Sequence, residues 1–354
     1  SDAIAVGQNA NASGTESAAI GKDAKALGKE STALGVRAEA LKIYSTALGG
    51  ESAAKEEYDL AAGYQAIASG KQSTAVGYKT QASGRASFAQ GSFATADGDK
   101  SISIGDSSSA ATAAKDSVAI GSDAKTKAVN AIAIGNSAQA TGEQSISVGK
   151  GNIVSGNNSA AIGNPSNISG NNSYSLGNNN TITTDDTFVV GSNVTTTLDN
   201  SVFLGKDAAY TAKAATTDGD AAVTEPVTVG STLTYGGFAG KTPVGVVTVG
   251  DVGKERRIQN VAAGLISATS TDAINGSQLY ATNDKLGNVA NTVVKNFGGN
   301  ATLNPDGSIT YTNIGNTGKD NIHDAIKAAT TKVEEGAGIK VDPTKNADGS
   351  TTYT

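Results

Sequence analysis

The chain has 354 residues, a formal net charge of −6, 44 glycines, a single histidine and no Cys, Met or Trp. This excludes a disulfide framework and leaves no thiol and imidazole set for a transition metal. No basic patch and no aromatic stacking platform stands out, which argues against nucleic acid as a partner.

Residues 1–205 write one short phrase fifteen times, as "AIAVG" at Ala3 to Gly7, "SAAIG" at Ser17 to Gly21 and "SVAIG" at Ser117 to Gly121. The closing glycines run from Gly7 to Gly205 in steps of 14, with one step of 16 between Gly105 and Gly121. Periodicity this strict means a solenoid. The residue before the glycine is Ile, Leu or Val in thirteen copies, with Ala62 and Gln90 departing. The residue before that is Ala or Ser in thirteen, with Val189 and Phe203 departing. Neighbours in a strand point to opposite faces, so one face is branched and apolar and the other small. A weaker phrase, such as "ASG" at Ala12 to Gly14, sits half a period later. Each unit therefore holds two short strands and two tight turns, with glycine supplying the turn angles. A helix would carry an interior glycine every two turns, each costing about 1 kcal/mol. The reading is a parallel β-roll, with coils stacked about 4.8 Å apart over roughly 70 Å. So narrow a roll admits Ala and Ser inside, and Leu or Phe would overpack it. The Ile, Leu and Val row exceeds what soluble monomers expose, so self-association follows. Which face is core and which is interface stays open at this point.

Residues 206–250 break the pattern with a polar loop and then β-rich runs, and are expected to cap the roll. The charged run Lys254 to Arg257 has two readings, a solvated turn or ion pairing between chains. From Asp272 the pattern turns helical. Leu279, Leu286 and Val293 fall seven apart, and Asn275, Thr282, Val289 and Asn296 form a second row. That is a short coiled coil with polar residues in its seam. Phe297 to Gly299 ends it. A hairpin follows, turning at Asp306 and Gly307. Ile322, Ile326, Ala329 and Val333 mark another seam, and a second hairpin turns at Asp348 and Gly349. Starting inside a repeat, and without Met, the chain reads as a piece of a longer protein.

No catalytic constellation emerges, so the reading is no enzyme, no cofactor and no metal. His323 lies off the Ile322/Ile326 seam and reads as a surface residue. "DGD" at Asp97 to Asp99 and at Asp218 to Asp220 reads as turns, and the calcium-binding "GGxGxD" nonapeptide is missing. Carbohydrate-cleaving β-helices use longer coils with a cleft of Asp, Arg or His. Ice-binding solenoids need ranks of Thr-x-Thr, and Thr here is scattered.

The phrase "DSVAIGSDA" at Asp116 to Ala124 resembles the head repeat of YadA-like trimeric autotransporter adhesins. "VGKERRIQNVAAGLISATSTDAINGSQLY", Val252 to Tyr280, resembles the neck of that family, and "NFGGNATLNPDGSITYT" its FGG stalk module. The resemblance implies a mostly β fold: a left-handed parallel β-roll head in a homotrimer, then neck, short trimeric coiled coil and a small hairpin and helix module. Expected divisions are head 1–205, closing insertion 206–250, neck 251–280, coiled coil 281–296 and stalk module 297–354. It implies a bacterial cell-surface location, the parent being anchored in the outer membrane by a β-barrel. Expected partners are host matrix proteins, cell-surface receptors or other bacteria, with no nucleic acid. In the family, collagen binding goes with phrases of the "NSVAIG" type followed by Ser. The nearest match makes Ser117, Val118, Ala119, Ile120, Gly121 and Ser122 the candidate ligand site, with Asp116 in the Asn place. Arg256, Arg257, Ile258, Asn275, Leu279, Leu286, Val289 and Val293 are the candidate neck and trimer contacts. The alternative function is a passive spacer that projects another adhesive domain.

Overall fold

A computed structural model describes residues 2–211, 225–227, 231–233, 239–240, 243–330, 333–347 and 350–354. Most of the polar loop after residue 206, with Asp218 to Asp220, lies outside the described residues, as do Asp348 and Gly349. The chain divides into two units, Ser1–Arg257 and Ile258–Thr354.

In the first unit each repeat makes one coil. Its three-residue strand, such as Val118–Ile120, pairs in parallel with the strands one coil before and one coil after. Fifteen such strands, from Ile4–Val6 to Val202–Leu204, form one sheet, and Val247–Thr248 adds a sixteenth. That last strand pairs with Val202 and Phe203 and closes the end of the roll. Two-residue strands, from Asn11–Ala12 to Thr181–Ile182, form a second sheet of thirteen. Register holds at one period throughout, as in Ala19↔Ala33 and Ala26↔Ala40.

Strand alternation decides the core. Ala19, Ala26, Ala33 and Ala40 point inward and are fully buried. The branched row points out, with Ile134 38% and Leu176 51% exposed. The small face is therefore the core, and the row of Ile, Leu and Val is an outer face. The expected ceiling on core size does not hold. Val154, Ile168, Ile182, Val189 and Phe203 are fully buried in the last coils. Both inward rows enlarge there together, Val154, Ile168 and Ile182 in the second sheet and Val189 and Phe203 in the first. A core widened from both sides packs large residues at normal density.

The closing glycines supply turn angles, as expected, and do a second task besides. Gly121 has φ +131°, and a Cβ there would lie 2.5 Å from the Gly135 carbonyl oxygen of the next coil. It is needed because two backbones meet there. Residues beside them in the tight turns, such as Asp23, Glu30, Arg37 and Tyr44, take left-handed angles as well, with φ between 55° and 58°. In the longer coil the extra residues form a turn at 112–113, and the Ala114 N–H donates to the Ala111 carbonyl at 2.8 Å. Ile102↔Val118 and Ser109↔Lys125 keep both sheets in register across it.

The second unit opens with an irregular stretch that leads into helix α1, Gly276–Phe297. Asn275 stands outside α1 as its N-cap. Its side chain accepts from the Gln278 N–H, and the Gln278 side chain returns to the Asn275 N–H, a capping box. Asn275 also donates to the Val261 carbonyl at 3.1 Å. Asn275 thus stands one position before the first helical residue, at the entry to the row it heads. Gly298 ends the helix at φ 57°. Thr302–Leu303 and Ile309–Thr310 then form a hairpin. Helix α2, Ile322–Ala328, is shorter than the seam expected over Ile322 to Val333, because Ala329 already caps it. A last hairpin pairs Pro343–Lys345 with Thr351–Tyr353.

Candidate binding surfaces

Side chains leave the roll in longitudinal rows, one residue per coil in each. The first row is the outward face of the sixteen-stranded sheet. The second is the polar face of the other sheet, where Lys25 Nζ meets Glu39 Oε1 at 2.9 Å, one coil on. The remaining rows lie along the turns. Asn9 donates to Asp23 at 3.0 Å, Arg37 pairs with Glu51, and Gln65 donates to Glu51 at 2.6 Å. Lys71 and Glu57 pair at 2.7 Å on the opposite turn. These pairs are solvent-exposed and add little stability. Their bearing is on which groups a partner meets.

The candidate phrase at residues 117–122 is largely scaffold. Ser117 is fully buried; its hydroxyl donates to the Ala114 carbonyl at 2.8 Å and lies 2.9 Å from the Thr126 hydroxyl. Ala119 is fully buried, and Gly121 sits at the close approach described above. Val118, Ile120 and Ser122 are half-buried and face outward. Any contact made by this phrase runs through those three.

Arg256 fastens the end of the roll. Its guanidinium donates to the Val249 carbonyl at 2.6 Å and to the Lys206 carbonyl at 2.7 Å. Lys254 Nζ lies 3.4 Å from Asp207. The charged run thus bonds within its own chain, while Arg257 is exposed. In the second unit Ile258, Leu279, Leu286 and Val289 are well exposed, Val293 is half-buried, and α1 buries no side chain.

Two features escaped the sequence reading. Tyr64, Tyr78 and Phe93 line up on successive turns, with ring centroids 5.9 Å and 5.3 Å apart. The signal lay in "GYQ", "GYK" and "GSF", aromatics just after closing glycines. Asp59 is buried where the neighbouring coils have Ser45 and Ser73. Burial pushes its carboxyl up from the usual range, against hydrogen bonds it accepts from the Ser73 and Glu56 N–H groups and the Ser73 hydroxyl.

Among the described residues no group of three or more His, Cys, Asp or Glu could hold a metal ion. No helix among them is long and apolar enough to cross a membrane. His323 is exposed on α2.

The YadA head domain repeat (2 copies) matches residues 1–24, 26–52, 54–80, 82–108, 113–138 and 140–164. The coiled stalk of trimeric autotransporter adhesin matches residues 257–302. Together the two matches run over more than half of the chain. Trimeric autotransporter adhesin AtaA of Acinetobacter sp. (strain Tol 5) is 46% identical over 104 residues, 27% of this chain. Autotransporter adhesin BtaE of Brucella suis biovar 1 (strain 1330) is 55% identical over 71 residues, 20% of this chain. The matches span 3% and 10% of those two relatives. Among solved structures, the collagen-binding domain of Yersinia adhesin YadA aligns with 80% of this chain and 97% of its own, at 18% identity and a TM-score of 0.18.

Proposed function

The chain belongs to the YadA-like trimeric autotransporter adhesins, and from that premise we propose that it attaches bacteria to host matrix proteins, host cells or other bacteria through a repetitive trimeric head. The observation that carries this is the repetition of the outer surface. The same turn and strand positions return in fifteen coils, so each surface group recurs along a line. Weak contacts repeated at fixed spacing bind together far more strongly than singly. Three chains about one axis multiply the rows again.

Trimer formation accounts for the apolar surface of both units. The outward Ile, Leu and Val row of the roll and the exposed Leu279, Leu286 and Val289 of α1 gain burial when chains associate. Ile258 and Val293 add to the apolar surface of the second unit. Val118, Ile120 and Ser122 belong to the roll's outer face. The surface-exposed location proposed for the parent follows its autotransporter relatives.

The test is adhesion of beads coated with the full chain to matrix proteins, cultured host cells and bacteria. Adhesion above beads bearing an unrelated protein of equal charge is expected. Equal adhesion on every surface would leave the passive spacer, the reading favoured by the alternation of helices and hairpins in residues 276–354.

A further inference from the structure

Aromatic residues occupy the turns after the closing glycines in only one stretch. Tyr64 and Tyr78 directly follow Gly63 and Gly77, and Phe93 stands two residues after Gly91. Other coils place residues such as Lys22, Ser122, Asn136 and Asn178 directly after the glycine. The Tyr64 and Tyr78 rings stack at 14°, and Phe93 meets Tyr78 edge-on at 86°. The three rings are 47%, 44% and 49% exposed. The backbone fixes their spacing. The Lys79 N–H donates to the Tyr64 carbonyl and the Phe93 N–H to the Tyr78 carbonyl, both at 2.9 Å.

Polar groups adjoin the ladder. The Lys79 ammonium lies 5.2 Å from the Tyr78 ring centre and 5.9 Å from that of Phe93. A shallow groove runs from Glu51, Gln65 and Lys79 to Ile67 and Gln81. The Glu51 carboxylate is already answered by Arg37 and by the Gln65 amide. Among the described residues, Lys79 is paired with rings and with no carboxylate. At the far end Gln81 donates to Asp97 at 3.3 Å, so the free charge beside the rings themselves is the Lys79 ammonium, in a chain whose net charge is −6.

We propose that Tyr64, Tyr78, Phe93 and Lys79, with Gln65 and Gln81, bind an acidic glycan. A pyranose ring has an apolar C–H face and a rim of hydroxyls. Exposed aromatic rings match the first, and the amide oxygens of Gln65 and Gln81, whose N–H groups already donate to Glu51, Ser83 and Asp97, accept from the second. A carboxylate or sulfate on the sugar matches the Lys79 ammonium. An apolar platform with a few convergent polar groups is the usual make-up of a small-ligand site. Three half-exposed rings are too little surface for a folded protein partner, which needs about 800 Å² on each side. The site deepens the adhesive function proposed above and rests on it.

The experiment immobilises the full chain and titrates hyaluronate, heparin and dextran. Hyaluronate carries carboxylates, heparin adds sulfates, and dextran is neutral. Binding to at least one acidic polymer is expected, at least tenfold tighter than to dextran. The triple variant Tyr64→Ser, Tyr78→Ser, Phe93→Ser should lose tenfold or more. Lys79→Gln should bring the acidic polymer down to the dextran level. Unchanged binding by the triple variant with its β-structure intact by circular dichroism, or dextran bound as well as the acidic polymers, would overturn the site. Should the triple variant lose its fold, Lys79→Gln decides alone, since that ammonium is exposed and supports no coil. Beads that adhere while no glycan binds would overturn this site and leave the adhesive function standing. Beads that fail to adhere while glycan binds would do the reverse.

Discussion

The roll and helix α1 solve the same problem in opposite ways. In the roll every coil lends hydrogen bonds to its neighbours, and the inward Ala and Ser rows are covered without help from another chain. Helix α1 covers nothing by itself, leaving Leu279, Leu286 and Val289 in solvent. A solenoid is stabilised by nearest-neighbour contacts along one chain. A lone helix of this length is marginal, because tertiary packing supplies most helical stability. The roll's fold should therefore depend little on protein concentration, and that of α1 strongly.

Breaking the roll takes a change between coils. Gly121→Val adds bulk at φ +131° against the Gly135 carbonyl, and should cost more than about 4 kcal/mol. Chemical denaturation followed by circular dichroism would show it, and a midpoint unchanged from the parent chain would refute the close-approach account. Next in size is Phe203→Ala, which empties the widened end of the core. A loss of about 3–5 kcal/mol is expected, read in the same titration.

Breaking the helix side takes one charge. Leu286→Lys should abolish association while the β signal of the roll persists. Three chains of 35.0 kDa give about 105 kDa by sedimentation equilibrium. A variant still at that mass would show that the roll's outer face holds the chains together alone.

The smallest effect sharpens the comparison inside the roll. Asp59 titrates higher in the folded chain than in the unfolded one, so the folded chain binds more protons in the window above 3.8. Stability should then fall as pH rises through that window. Asp59→Ser, which restores the residue of the neighbouring coils, should flatten the slope. Thermal melts between pH 4 and 7 measure it, and parallel slopes would mean that the buried carboxyl is not the source.

The repeat was legible because a period of 14 with alternating size leaves one arrangement of strands and turns. Ala19 and Ile20 already announce opposite faces. Phe203 is not legible from its own phrase, since whether a large residue fits depends on Ile182 and Val189 enlarging nearby. Asn275 kept the heptad spacing yet serves as a cap, a distinction that rests on where the helix begins. Tyr64, Tyr78 and Phe93 went unseen because their neighbourhood exists only once coils are stacked, fourteen or fifteen residues becoming one strand spacing.

Arg256 has a mechanical side. Its guanidinium holds the Val249 and Lys206 carbonyls together, and so ties the segment that follows the last strand back onto the last coil. Two charge-assisted bonds side by side are stronger than neutral ones, and they clamp the open edge of the parallel ladder. The arginine works as a rivet at the edge of a zipper.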